Sequence, residues 1–208
     1  DISASGDYGT RRQFKRELIT ELCAVLSFSA IQNNDKIGVI FFSDKIEKFI
    51  PPKKGKSHIL RIIRELIDFH PESNGTDIGG ALRYFTNMIK KRSISFLISD
   101  FQSSNYSDAL KIAARKHDLV GIRIYDRREA ELPDVGLIRM QDAETGKLMW
   151  VDTSKAYTRE HYRRSWEQHE KSLEELFARS GVDQVKIATD QNYVQPLINL
   201  FKKREKRA

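Results

Sequence analysis

Oxygen-bearing side chains alternate along the first five residues of the chain. Asp1, Ser3 and Ser5 lie at positions i, i+2 and i+4, and the glycine-containing stretch 6–9 follows them. Hard divalent cations such as Mg²⁺ and Ca²⁺ take oxygen ligands, so this spacing suits a metal held where a strand gives way to a turn. Aspartate and serine side chains also cap their own backbone in turns, and turn capping is the structural alternative for all three residues.

Two later stretches offer oxygen donors of the same kind. Residues 74–80 form a polar, glycine-rich loop that contains Thr76 and opens a predicted helix, and residues 95–100 form an apolar strand that ends in Asp100. Ligands of open α/β sheets gather at the carboxyl ends of the strands, so we expect both stretches to converge on Asp1. The structural alternative for Thr76 is the N-cap of the following helix.

The order of these three elements is typical of a metal-ion-dependent adhesion site. Such a site combines Asp-x-Ser-x-Ser, a Gly-Thr at a loop-to-helix junction and an apolar strand ending in aspartate. Because this chain has all three in that order, it resembles a von Willebrand factor A domain. The resemblance implies that Ser3, Ser5 and Thr76 bind the metal directly. It also implies that Asp1 and Asp100 hold the metal through water. The implied metal is Mg²⁺, with Mn²⁺ and Ca²⁺ as alternatives.

Downstream stretches narrow the resemblance to one bacterial family of unknown function, numbered fifty-eight, whose members are A-domain proteins often encoded beside MoxR-type ATPases. The similarity is carried by stretches 126–129, 131–133, 135–137, 142–146 and 151–153. Members of that family have a strand leading into the first aspartate. We therefore expect the 208-residue chain to be a single A-like domain, residues 1–208, whose first strand and upstream segment precede Asp1.

Composition is consistent with one charged α/β domain. The chain has 39% hydrophobic and 31% charged residues, and no apolar run approaches the roughly 20 residues of a membrane span. A single cysteine, Cys23, excludes an internal disulfide, favours the cytoplasm and is expected to be a buried apolar side chain. Part of the net charge of +7 lies in the basic run 202–207, which we interpret as a solvated terminus rather than a specific nucleic-acid site.

Hydrophobic periodicity predicts a doubly wound, mostly parallel sheet with one antiparallel edge strand and a β-hairpin insertion. The short connection 43–45 between two apolar runs predicts a hairpin turn. Proline predicts the end of the second strand at Pro51, and the glycine at position 146 predicts the insertion's turn at 143–146. Trp150 and Trp166 are expected in the core. Strands are predicted at 36–42, 46–50, 94–99, 119–125, 137–141, 147–151 and 184–188, and helices at about 10–31, 59–67, 78–91, 106–116, 157–179 and 194–201.

These observations favour a non-enzymatic, cation-dependent protein-binding module. Three neutral hydroxyl ligands leave a divalent cation most of its charge, so we expect the metal to attract an acidic residue of a protein partner. The resemblance implies an adaptor or chaperone-like role with a MoxR-type AAA ATPase. The alternative is a metal-dependent phosphatase or hydrolase, but no histidine or lysine accompanies the motif as a general acid or base. The chain's five histidines are scattered, with no pair at metal-binding spacing except the i, i+8 pair His161 and His169 on the predicted long helix, and none is expected to be a ligand.

Overall fold

The computed structural model describes residues 1–3, 15–73, 75–141 and 148–206. Strands and helices alternate along most of these residues. The helices are α1 Lys15–Gln32, α2 Lys56–Asp68, α3 Ile78–Met88, α4 Ser107–Lys116, α5 Ala156–Ser180 and α6 Val194–Glu205, and the strands are β1 Ile37–Phe42, β2 Ile46–Lys53, β3 Ile94–Ser99, β4 Asp118–Tyr125, β5 Leu137–Gln141, β6 Leu148–Asp152 and β7 Asp183–Ala188.

The described strands form three separate sheets. A parallel sheet has the strand order β3-β4-β7, whereas β1 with β2 and β5 with β6 form antiparallel pairs. The mixed α/β class and the antiparallel hairpin at residues 43–45 are therefore confirmed. The predicted single sheet is not seen in the described chain, because β1 does not pair directly with β3. The insertion is likewise a hairpin with its own two-stranded sheet, and its predicted turn at 143–146 lies outside the described residues.

Both faces of the parallel sheet are covered by helices. Alternate residues of β3 and β4 pack in opposite directions, since neighbouring side chains of a strand point to opposite faces. Leu97 and Leu119 join a core with α3, α4 and α5, and Ile98 and Val120 join a second core with α1 and α6. A third cluster packs the β1–β2 hairpin against α2. Asp100 directly follows the carboxyl end of β3, at one edge of this sheet.

The chain's first two residues bridge β3 and β1. The α-amino group of Asp1 donates to the carbonyl of Ile98 at 3.0 Å, and the backbone N–H of Ile2 donates to the carbonyl of Phe42 at 3.0 Å. Residues 1–2 therefore lie between the carboxyl ends of the two strands. The expected strand leading into Asp1 stays a prediction.

Strand β2 does not end at Pro51 as predicted but continues through both prolines to Lys53. Residues Ile37 and Val39 of β1 pair with Lys53 and Ile50, so the single residue between them faces two prolines in a bulge. That residue is Gly38, where a Cβ would lie 2.9 Å from the Ile50 carbonyl oxygen and from Cδ of Pro52. Glycine and the bulge together let the prolines remain in the strand, although proline cannot donate to the ladder.

Candidate metal centre

The loop after β3 connects the separate parts of the predicted site. Ser99 is the last residue of β3, and its Oγ donates to Oδ2 of Asp1 at 2.5 Å. Four residues later, the hydroxyl of Ser103 donates to the backbone carbonyl of Thr76 at 3.1 Å. Asp100 lies between these two contacts and is buried. These contacts bring Asp1 and the backbone of Thr76 to residues that flank Asp100.

The Asp1 side chain makes the hydrogen bonds of a structured turn. Its Oδ1 accepts from the backbone N–H of Ser3 at 3.0 Å, and its Oδ2 accepts from Ser99. The turn-capping alternative therefore holds for the Asp1 carboxylate. Ser3 is buried, with 4% of its surface exposed, which places its side chain in the interior rather than in solvent. Ser5 lies outside the described residues.

Thr76 is not the cap of α3. The N-cap is Asp77, whose side chain accepts from the backbone N–H of Gly80 at 2.8 Å. The Asp77 backbone N–H donates to the carbonyl of Ser43 at 2.8 Å, which anchors the loop to the β1–β2 turn. Among the described residues, none hydrogen-bonds to the Thr76 hydroxyl, and Ser103 contacts only its carbonyl. The N-cap interpretation of Thr76 is wrong, because Asp77 takes that position.

Asp100 is held by two contacts that sequence reasoning did not anticipate. Its Oδ1 accepts from the backbone N–H of Gln102 at 3.2 Å, and its Oδ2 lies 3.2 Å from the ammonium of Lys15. The same ammonium is 2.5 Å from Oε1 of Glu129, in the 3₁₀ turn Arg127–Glu129 that follows β4. Lys15 and Glu129 were not among the predicted site residues. The available signal was the position of Lys15 on the buried stripe of α1, three residues before Leu18.

The donor set fits a hard divalent cation in its chemistry. The three described donors besides Asp1 are two hydroxyls and one carboxylate, from Ser3, Thr76 and Asp100, and oxygen donors of this kind suit Mg²⁺ or Mn²⁺. In the part of the chain that the structure describes, no group of three or more His, Cys, Asp or Glu side chains is placed to hold a metal. That finding leaves the candidate set open, since a hydroxyl-based site contains few such residues.

Two ionisable groups beside the site have strongly shifted pKa values. Burial lowers the pKa of the Asp1 α-amino group from 8.0 to about 5. Burial also raises the pKa of the Cys23 thiol from 9.0 to about 11, so the thiol stays protonated at neutral pH. Cys23 was expected to be buried; it is half-buried and packs against two apolar clusters.

A second network of charges lies behind the site, between β4 and α5. Arg123 is buried with 1% of its side chain exposed, and it pairs with Glu170, which also accepts from Lys186 at 2.7 Å. Its guanidinium lies over the ring of Trp166 at 5.9 Å. Burial lowers the pKa of Arg123, while the carboxylates of Asp100 and Glu129 oppose that shift. Of this second network, Arg123 is the residue on which Asp100 and Glu129 act.

The described chain is a mixed α/β domain with oxygen donors gathered at the carboxyl edge of a parallel sheet. A family model described as "Protein of unknown function DUF58" matches residues 1–172, and the chain belongs to that family. In the described residues, no helix is both long enough and apolar enough to cross a membrane.

The relatives found by sequence are mycobacterial. The chain is 25% identical to "Uncharacterized protein Rv1480" of Mycobacterium tuberculosis over 211 residues, covering all of this chain and 66% of that protein. It is 24% identical to "Uncharacterized protein MAV169" of Mycobacterium avium over 162 residues, covering 76% of this chain and 95% of that protein. The chain thus spans slightly less than two thirds of the length of the longer relative.

Two solved structures from Bacteroides share the fold. One is the conserved hypothetical protein BatB from Bacteroides thetaiotaomicron, with a TM-score of 0.60, 17% identity and coverage of 98% of this chain and 94% of that one. The other is an aerotolerance-related membrane protein from Bacteroides fragilis with multiple mutations to serines, with a TM-score of 0.60, 17% identity and coverage of 97% and 95%. At this identity the likeness concerns the fold alone.

Proposed function

We propose that the chain is a divalent-cation-dependent protein-binding module with a von Willebrand factor A-like adhesion site. Ser3, Ser5 and Thr76 would bind the cation directly, and Asp1 and Asp100 would hold it through water. The observation that carries the proposal is the position of Thr76. Its loop is anchored by the hydrogen bond from the Asp77 backbone N–H to the carbonyl of Ser43. The side chain of Asp77 also supplies the N-cap of α3. The Thr76 hydroxyl is thus not needed for the helix and is available to a ligand.

The charge of such a site favours an acidic partner. A cation held by neutral hydroxyls keeps most of its positive charge, and a glutamate or aspartate of another protein is the natural remaining ligand. The net charge of +7 would steer an acidic partner at a rate that falls with salt. The family resemblance favours a MoxR-type AAA ATPase as that partner, in the cytoplasm, with the chain acting as an adaptor.

The first experiment tests the metal. Mn²⁺ titration by calorimetry is expected to show one saturable site, and Thr76→Ala and Asp100→Asn are each expected to weaken it at least about tenfold, because each removes one oxygen that holds the metal or its water. Ser104→Ala is the matched control, since Ser104 is exposed in the loop after β3. Equal Mn²⁺ affinity in all four proteins would contradict the site assignment.

The second experiment tests the partner. A purified MoxR-type ATPase from the same genome is expected to be retained by the immobilised chain in Mg²⁺ and released by EDTA, with Thr76→Ala equivalent to EDTA. Retention that is insensitive to both would refute cation-dependent binding. Metal-dependent hydrolysis of p-nitrophenyl phosphate that Thr76→Ala removes would instead favour the phosphatase alternative.

A further inference from the structure

Lys15 places a buried ammonium at the edge of the candidate metal centre. Only 2% of its side chain is exposed, and its Nζ lies 3.2 Å from Oδ2 of Asp100 and 2.5 Å from Oε1 of Glu129. A lysine is almost never buried unless its charge is compensated. The two carboxylates supply that compensation. The ammonium therefore occupies a cation position beside one of the residues that the proposed function assigns to the metal.

The two acceptors of this ammonium are fixed independently of Lys15. Glu129 and Asp126 form a reciprocal capping box, and the second oxygen of Asp126 accepts from Thr189 at 2.9 Å. Asp100 is oriented by the backbone N–H of Gln102. Because the carboxylates are held by other groups, the position between them remains a cation position whether or not the lysine fills it.

The packing of α1 against the parallel sheet positions Lys15 between the two carboxylates. Leu18 and Leu22 lie on the same stripe of α1 as Lys15 and are almost fully buried in the core against the parallel sheet. The helix is therefore fixed, while the four-carbon side chain of Lys15 can rotate about its own bonds. Small rotations would move the ammonium away from Asp100 and toward Glu129 without moving the backbone.

We propose that Lys15 is a tethered counter-ion that competes with the divalent cation at Asp100 and so sets the affinity of the site. This inference rests on the proposed function. A divalent cation held through water by Asp100 would repel the ammonium, which would then withdraw from Asp100 and stay with Glu129. Glu129 is therefore the acceptor that keeps the lysine compensated in both states. The metal-free site stays neutralised, and the metal binds only at concentrations that overcome the lysine.

The test compares Mn²⁺ affinity in the wild type, Lys15→Met and Lys186→Met. Methionine keeps the length of the side chain and removes the charge, so Lys15→Met is expected to bind Mn²⁺ roughly tenfold more tightly than the wild type. Lys186→Met is the matched control. Lys186 lies on β7 and also donates to two carboxylates, those of Glu170 and Glu174 on α5, at 2.7 and 2.6 Å. Its Mn²⁺ affinity is expected to equal that of the wild type.

A second measurement uses the wild-type chain and so does not depend on the folding of a variant. The side-chain ammonium signal of Lys15 in ¹⁵N NMR spectra is expected to shift as Mg²⁺ is added and to follow the calorimetric binding curve, while the signal of Lys186 stays in place. Unchanged or weaker Mn²⁺ binding in folded Lys15→Met, or a static Lys15 signal at saturating Mg²⁺, overturns the counter-ion role and leaves the metal site standing. Absence of saturable binding in both the wild type and Lys15→Met overturns the metal site itself, and the counter-ion role with it.

Discussion

The hydroxyl of Ser99 donates a 2.5 Å hydrogen bond to Oδ2 of Asp1 and accepts one of 3.0 Å from the backbone N–H of Phe101. Phe101 has a φ of +58°, in the left-handed region that non-glycine residues rarely adopt. The Ser99 hydroxyl oxygen thus holds Asp1 in place and also stabilises the sharp backbone turn that contains Asp100. The shape of the site depends on a serine that is not itself a proposed ligand.

Ser99→Ala is expected to lower the free energy of unfolding by about 1–3 kcal/mol, because the Phe101 N–H and one Asp1 oxygen lose their partner inside the protein. Mn²⁺ affinity is expected to fall as well, since Asp1 and Asp100 lose their fixed orientation. Urea unfolding and Mn²⁺ calorimetry measure the two effects. Ser104→Ala, which changes an exposed serine nearby, is expected to alter stability by less than about 0.5 kcal/mol. Equal effects of both substitutions would show that the Ser99 hydroxyl does not organise the site.

Elements with a clear hydrophobic pattern were predicted close to their observed bounds. Strand β3 was predicted at its observed bounds Ile94–Ser99, because it is apolar on both faces and each face packs against helices. Strand β5 was likewise predicted at Leu137–Gln141. Helix α3 ends at Met88 rather than at residue 91, since the next residue, Ile89, is already extended. Local periodicity defines the elements and leaves their ends to contacts made in the folded chain.

The remaining errors concern residues whose environment is set by distant partners. Trp150 was expected in the core, but it lies on β6 with 68% of its surface exposed, and its neighbour Met149 on the opposite face of the strand is 50% exposed. Lys15 was not singled out within the predicted helix at about 10–31, because its acceptors Asp100 and Glu129 are more than 80 positions away in sequence. The proposed metal ligands were singled out because each belongs to a short local motif. The ammonium between Asp100 and Glu129 was missed, since no local pattern marks it.

Gly121 is a position where the packing of β4 against α5 excludes a side chain. A Cβ there would lie 2.4 Å from Cε1 of Phe177, a buried ring that also packs edge-on against Phe101 at 5.0 Å. Gly121→Ala is expected to destabilise the chain by about 1–3 kcal/mol through overpacking. In thermal melts, Phe177→Leu is expected to cost less in the Gly121→Ala background than alone, because the smaller side chain relieves the contact. Additive losses would contradict steric conflict as the cause.

The buried pair of Arg123 and Glu170 is expected to show strong coupling. Arg123→Met leaves the Glu170 carboxylate with Lys186 alone, and breaking a buried pair from one side costs roughly 3–5 kcal/mol. Glu170→Leu leaves a buried guanidinium and is expected to cost as much. The double variant is expected to lose less than the sum of the two, since neither charge is then stranded. A double-mutant cycle in urea measures the coupling, and simple additivity would show that the two charges do not stabilise each other.

In a chain that begins at Asp1, the α-amino group of that residue is expected to make the stability depend on pH. Burial lowers its pKa from 8.0 to about 5, so the folded chain carries a neutral amine between these values while the unfolded chain binds a proton. The unfolded state therefore holds more protons, and the free energy of unfolding falls as the pH drops from 8 toward 5. A shift of this size corresponds to a loss of about 4 kcal/mol at most.

The control is a chain in which a peptide bond precedes Asp1. An amide at that position still donates to the carbonyl of Ile98 but does not titrate, so the loss between pH 8 and pH 5 is expected to shrink. The buried His117, whose pKa is also lowered by burial, contributes to both chains alike and cancels in the comparison. Urea unfolding of the two chains at pH 8, 6.5 and 5 measures the difference. Parallel pH profiles would mean that the Asp1 amine is solvated and charged in the folded chain, contrary to its burial beside β3.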